Sequence, residues 1–220
     1  MRYVFLKNRP FTAIILAAGR SVRMGCFKPA VLIGDKPAIA HCIDTFLDAG
    51  VKDIIVVLGS NKELLTGILN GYSDIRPIYN KDYVKGMFTS VKAGVKALMP
   101  DGKGFFITPT DIPLFSVDTV MALMENFEDS PMNVLSPSYS MRAGHPTLCS
   151  MDVAKRILAY EYDTLRAVFS DCNRSFLNVD DYGILLDMDT PEDYLHLIAY
   201  YNGICRSCDL YKKQGKDENA

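Results

Sequence analysis

Apolar residues along the chain alternate between two spacings. Ala13–Ala17, Asp53–Leu58 and Gly104–Thr108 are short, continuous apolar runs, halted in turn by Gly19, Gly59 and Pro109. Runs of this length without polar alternation predict strands buried on both faces, as in a parallel sheet covered by helices. Weaker runs at Asp74–Tyr79, Asn133–Ser136 and Ile184–Leu186 predict further strands. Between them the spacing turns helical. Over Ala38–Ala49, Ile39, Ile43, Phe46 and Leu47 share one face, and Gly50 follows as a stop. Lys62–Leu69, Thr89–Met99, Val117–Phe127, Asp152–Ala159 and Pro191–Tyr201 repeat that pattern. Strand and helix in alternation predict right-handed βαβ units, and so a Rossmann-like three-layer α/β/α fold with a mostly parallel sheet. The hairpin-like stretch Met141–Cys149 interrupts the alternation and is expected as a small antiparallel insertion over the sheet.

Composition narrows the class. Of the 220 residues, 24 Lys+Arg stand against 26 Asp+Glu, for a net charge of −2, which excludes gripping nucleic acid or an anionic membrane by bulk charge. With 49% hydrophobic and 23% charged residues, the chain is a folded globular one, not a disordered one. No stretch reaches the roughly 20 apolar residues of a membrane helix, and the apolar run Tyr3–Leu6 is too short for a signal-peptide core. One domain is expected over residues 1–204, followed by a polar tail or linker over 205–220. Cys26, Cys42, Cys149, Cys172, Cys205 and Cys208 are scattered through a chain long enough to bury its own core, so they read as thiols of a reducing cytoplasm. Cys205 and Cys208 have no second pair nearby to complete a zinc site and read as free thiols.

Three segments carry candidate chemistry. The loop from Leu16 to Pro29 follows the first strand with small residues, Gly19 and Gly25, and two cations, Arg23 and Lys28. Its spacing is neither that of a P-loop nor that of a dinucleotide fingerprint. It supports a phosphate-binding loop, with a solvated basic connection as the alternative. Asp111 stands just past the end of a buried strand, where ligands sit in such sheets, although a lone Asp there also serves as a turn or cap residue. In Asp187–Tyr194, Thr190 or Asp189 can cap a helix, with Pro191 in its first position and Glu192 and Asp193 in its first turn.

These segments carry a family resemblance. LAAGRSVRMGCFKP closely resembles the first motif of the MobA-like nucleotidyltransferases, nearest to the molybdenum cofactor cytidylyltransferases. The resemblance implies a loop wrapped round a nucleoside triphosphate, with Leu16, Ala17, Ala18 and Gly19 at base and sugar. It puts Arg23 and Lys28 at the triphosphate as catalytic cations. The stretch ending Thr110–Asp111–Ile112–Pro113–Leu114 is similar to the family's GDMPL segment, with Thr110 in place of the usual Gly, and implies that Asp111 binds Mg²⁺. Asp187–Tyr194 resembles D-x-DTPEDY, which implies Asp189 as the second metal ligand. Lys85–Val91 resembles E-G-M-x-x-S-L, implying that Gly86 and Ser90 line the nucleotide pocket, with Lys85 where the family has an acidic or small residue. Arg142–Pro146 resembles R-G-H-P with Ala143 inserted, which implies His145 and Arg142 on the acceptor side; a structural histidine in a turn is the alternative. Leu165, Val168 and Phe169 are expected in the core, with Arg166 either near the acceptor's phosphate or solvated. His41 and His196 are expected to be structural or exposed. Cys26, between two cations, is a candidate oxidisable thiol.

The implied reaction moves a nucleoside monophosphate onto a phosphorylated acceptor and releases pyrophosphate. Ala17–Ala18–Gly19, where the guanylyl branch has Gly-Gly, together with Gly144–His145–Pro146, favours CTP, with molybdopterin as acceptor. No nucleic-acid or membrane partner is expected, and the chain is expected as a monomer or small homo-oligomer. The alternatives are a sugar-phosphate or phosphocholine nucleotidyltransferase on the same fold, a GT-A glycosyltransferase using Asp187–Met188–Asp189 as a D-x-D motif, and a nucleotide-binding regulator.

Overall fold

A computed structural model describes residues 11–19, 26–73, 75–128, 131–159 and 162–204. Among them one main sheet runs in the order β5, β4, β1, β6, β9, β7, β10. The strands are β1 (Phe11–Ala17), β4 (Asp53–Leu58), β5 (Ile75–Tyr79), β6 (Gly104–Pro109), β7 (Asn133–Tyr139), β9 (Thr147–Ser150) and β10 (Asn173–Asn178). The pairings β1–β4, β1–β6, β4–β5 and β7–β10 are parallel, and β9 runs antiparallel to both β6 and β7. A two-residue β8 (Arg142–Ala143) folds back on β7, and a separate two-stranded ribbon joins β2 (Leu32–Ile33) to β3 (Lys36–Pro37). The expected α/β fold with a mostly parallel sheet is the fold observed.

The uninterrupted apolar runs are explained by two cores, one on each face. Successive residues of a strand point to opposite faces. Ala13, Ile15 and Ala17 of β1 enter one core, and Ile14 and Leu16 enter the other. The first core is covered by α1 (Ala38–Asp48) through Ile39, Ile43 and Phe46, by α2 (Lys62–Leu69) through Leu65, and by α4 (Val117–Glu125) through Val120 and Leu123. The second is covered by α3 (Met87–Lys96) through Val91 and Val95, by α5 (Met151–Leu158) through Val153 and Ile157, and by α6 (Leu165–Ser170) through Val168 and Phe169. A third, smaller core lies under α7 (Pro191–Tyr201), where Leu197 meets Ile33, Ala38 and Met188. Leu165 is partly buried against the second core, in line with its expected place there.

Two expectations need correction, and two elements were not foreseen. Met141–Cys149 does not lie over the sheet. Its second half is β9, wholly buried inside the sheet between β6 and β7. A strand covered on both faces shows no alternation to mark it as sheet. Ile184–Leu186 is not a strand; the 3₁₀ turn Tyr182–Leu185 occupies that place and drives Ile184 into the core. The strand β10 and the helix α6 were not foreseen. β10 is a mostly exposed edge strand with a polar sequence, so it carries no apolar run. Asp74 and the 205–220 tail, with Cys205 and Cys208, lie outside the described residues.

Gly94 lets α3 approach β1. A Cβ there would stand 2.5 Å from the Ile14 side chain and 3.1 Å from that of Val57, both fully buried. Gly94→Ala is therefore expected to lower stability by about 1–3 kcal/mol through overpacking, read as a drop of several degrees in Tm; an unchanged Tm would show that the core can yield there.

Candidate active site

The carboxyl ends of β1, β4 and β6 lie side by side, and the segments leaving them build a cleft. Its volume is about 190 Å³, and its walls include Leu16, Ala18, Gly19, Lys28, Ser90 and Asp111. The first wall is the backbone after β1. Ser60 fixes it from β4's end, its hydroxyl donating to the Gly19 carbonyl at 2.7 Å and its N–H to Ala18 O at 3.3 Å. Gly59 is required for this approach, since a Cβ there would meet the Ala18 carbonyl at 2.5 Å. The second wall is the start of α3. Ser90 is buried, and its Oγ accepts a 3.0 Å hydrogen bond from Asn80, which also donates to Thr89. Gly86, at φ 115°, caps this helix beside the wall residue Met87. Lys85 points away to pair with Asp82 at 2.7 Å.

Opposite stands an ion cluster. Lys28 opens a short 3₁₀ turn, Lys28–Ala30, with Pro29 in its first turn. Its ammonium lies 2.5 Å from Asp189 and 3.5 Å from Asp111, with the lysine side chain 11% exposed. Thr110 explains how Asp111 is aimed. Its N–H and its hydroxyl both reach the Leu16 carbonyl, at 3.2 and 3.3 Å, so the Thr in place of the family's Gly ties β6's end to β1's. The Met188 N–H donates to the Asp111 carbonyl at 3.0 Å, locking the two acidic segments together. Asp189 is held from the far side by α7, whose Thr190 and Asp193 form a full capping box. Asp181, buried, accepts from the Ser116 and Gly183 N–H groups and the Thr119 hydroxyl, and so braces the same two segments. Partial burial and the carboxylates of Asp193, Asp189 and Asp111 raise Asp187 above the usual carboxylate range, with Lys28 opposing them.

The cluster fits a small divalent cation. Lys28 already holds positive charge between the two carboxylates, and Asp111 and Asp189 supply hard oxygen donors. Among the described residues no three His, Cys, Asp or Glu side chains gather at metal-binding spacing. An ion here would therefore complete its shell with water and phosphate oxygens, the habit of Mg²⁺.

Of the sequence candidates, Leu16, Ala18, Gly19, Lys28, Ser90 and Asp111 line the cleft, and Asp189 joins it through Lys28. The Ala17 side chain belongs to the core on the other face, so only its backbone can meet a ligand. Arg23 lies outside the described residues. Tyr83, Met87, Pro109 and Thr110 also line the cleft. They were missed because only the packing of α3 on β1 and β4 brings Tyr83 and Met87 there. Arg142 and Arg166 are exposed, and Cys26 is an exposed free thiol. His41 is structural, its Nε2 2.9 Å from the Ile33 carbonyl.

Residues 13–176 match the MobA-like NTP transferase domain. The chain belongs to this family. It is 29% identical over 199 residues to the molybdenum cofactor cytidylyltransferase of Escherichia coli K12, covering 87% of this chain and 97% of that protein. It is also 29% identical over 133 residues to the bifunctional protein GlmU of Syntrophomonas wolfei, where it spans only 29% of the relative's length. A nucleotidyl transferase from Methanothermobacter shares the fold at a TM-score of 0.76 and 19% identity, over 90% of this chain and all of that one. The protein is thus a nucleotidyltransferase of the MobA-like family. No described helix is long and apolar enough to cross a membrane.

His145 sits in the turn before β9, its N–H donating to Ile184 at 3.1 Å. Gly144 beside it is needed, since a Cβ would meet the Ile184 carbonyl at 2.4 Å. Burial holds the imidazole below its ordinary range, against the Ile107 carbonyl and Asp111, which favour the cation. The folded state thus resists a proton that the unfolded chain accepts near pH 6.5. Stability is full above that pH and declines as pH falls through the lower folded value. His145→Gln should shrink the fall in Tm between about pH 7.5 and about pH 5; an unchanged fall would show that His145 does not titrate this way.

Proposed function

We propose that this nucleotidyltransferase transfers CMP from CTP to the phosphate of molybdopterin, releasing pyrophosphate, with Mg²⁺ held by Asp111 and Asp189. The observation that carries the reading is the Lys28–Asp111–Asp189 cluster at the mouth of a cleft walled by backbone and small residues. The cytidylyl choice draws support from Ala17–Ala18–Gly19 and from the match along nearly the whole length of the Escherichia coli relative.

An acceptor phosphate is already anionic, so the protein has no nucleophile to activate. Its work is positioning and charge neutralisation. The backbone of Ala18 and Gly19 and the Ser90 wall receive base and sugar. Lys28, released from the carboxylates as phosphate oxygens arrive, holds the triphosphate together with Arg23 and steadies the charge gathering on the leaving pyrophosphate. When bound, Mg²⁺ supplies charge neutralisation at the α-phosphate. Asp111 and Asp189 keep the spacing set by the Met188–Asp111 bond. His145, buried in the turn beside Ile184, is assigned to the acceptor side by the family resemblance.

Pyrophosphate release with Mg²⁺, over CTP, GTP, UTP and ATP against molybdopterin and small phosphate esters, tests the reading. Turnover is expected with CTP and molybdopterin. Turnover only with a sugar phosphate or phosphocholine would move the enzyme to another acceptor. Asp111→Ala should lower kcat at least about 100-fold, on the scale of losing a transition-state charge stabiliser; near-full turnover in Mg²⁺ would remove the metal role from Asp111.

A further inference from the structure

The α3 wall of the cleft owes its polarity to a residue that stands behind it. Asn80 follows β5 and is 6% exposed, with its backbone N–H donating to the Leu58 carbonyl at 2.9 Å. One orientation satisfies its side-chain amide. Oδ1 accepts the Asp82 N–H at 3.0 Å, and a backbone N–H can only donate, so the amide nitrogen faces the other way. There its two N–H bonds go to the hydroxyl oxygens of Thr89 and Ser90, at 2.8 and 3.0 Å.

The two hydroxyls then differ in what is left to them. Each oxygen accepts from Asn80, and each has one proton to give. Thr89 gives its proton to the backbone, since its Oγ1 lies 2.8 Å from the Gly86 carbonyl and 3.0 Å from that of Asp82. Ser90 is 3% exposed and lines the cleft, and among the described residues no acceptor engages its proton. A buried hydroxyl proton calls for an acceptor. With Asn80 on its oxygen, Ser90 therefore meets the cleft as a donor. On the described walls the charges belong to Lys28 and Asp111, so a polyanion is drawn to Lys28. That leaves an uncharged ring for the wall of Ser90, Tyr83 and Met87. Cytosine brings acceptors there, O2 and N3, on the edge where guanine brings the donors N1–H and N2–H.

We propose that Asn80 is a positioning residue for base choice: by holding the Ser90 oxygen it keeps that hydroxyl a donor, which suits the acceptors of cytosine and opposes the donors of guanine. The inference rests on the reading of the cleft as the nucleotide site and adds the groups that set its polarity toward the base. Calorimetric binding of CTP and GTP to the full chain, with Mg²⁺ present, tests it apart from any acceptor substrate. Wild-type protein should bind CTP the more tightly. Ser90→Ala should weaken CTP binding about tenfold, as expected for a hydrogen bond lost from a buried wall. Asn80→Ala should weaken it as well. Because Asn80 acts through Ser90, the double variant should lose no more than Ser90→Ala alone. A wall that had merely collapsed would lose more, so additive losses overturn the proposal. Asn80→Asp keeps the shape, still accepts the Asp82 N–H and takes the Ser90 proton, which turns the Ser90 oxygen into an acceptor toward the cleft. Its added charge repels both triphosphates alike, whereas the ratio of CTP to GTP affinity should fall about tenfold. Circular dichroism checks each fold, and if Asn80→Ala does not fold the isosteric Asn80→Asp decides. An unchanged ratio in Asn80→Asp overturns the proposal and leaves the reaction standing. Absence of CTP binding by the wild type overturns the proposal together with the reading of the cleft. Coupled losses and a shifted ratio in an enzyme that transfers no CMP to molybdopterin support the proposal and sink the reaction instead.

Discussion

One ammonium between two carboxylates organises the working end of this molecule. Lys28 meets partners 83 and 161 residues further along the chain, with its own side chain largely withdrawn from water. Like charges brought this close repel if left alone, and at Asp187 partial burial first, then the neighbouring carboxylates, raise the affinity for a proton. A cation between these carboxylates therefore stabilises the cluster. In the ligand-free chain the lysine provides it. In the proposed reaction Asp111 and Asp189 would hold a divalent ion that supplies this charge, which would leave Lys28 to the triphosphate. The same electrostatic constraint explains why the three groups come from rigid attachments: a proline-bearing turn, a strand end and a capped helix.

That rigidity is built from the centre of the sheet outward. β1 is hydrogen-bonded on both sides, and its residues feed both cores, so its carboxyl end is the least mobile place from which to hang a loop. Ser60 and Thr110 then tie the ends of the neighbouring strands to the backbone of Leu16, Ala18 and Gly19. Asp181 and the Met188–Asp111 bond carry the same order across to the acidic segments. Close approaches at Gly59, Gly94 and Gly144 bring these layers within contact.

Much of this was legible in the residues. β1, β4 and β6 were read from continuous apolar runs because central parallel strands bury both faces and need no polar position. Helices Lys62–Leu69 and Pro191–Tyr201 were read to the residue, since caps, proline and a single apolar face are local signals. Lys28, Asp111 and Asp189 were recognisable because each stands in a segment with its own signature. β10 and the 3₁₀ turn at Tyr182 were not legible. An edge strand can be polar throughout, and a short buried apolar run fits a turn as well as a strand.

The sequence by itself determined the class of the fold, the family and the identity of the charged groups, because periodicity, capping and short motifs act over a few residues. Tertiary structure alone decided that β9 threads the sheet instead of covering it, that the Ala17 side chain turns to the opposite core, and that Lys28 bridges the two aspartates. It also gathered Tyr139, Tyr182, Tyr200 and Tyr201 round one cavity. Contacts between residues so far apart depend on which face each element buries and how closely the layers approach, and no local pattern encodes that distance.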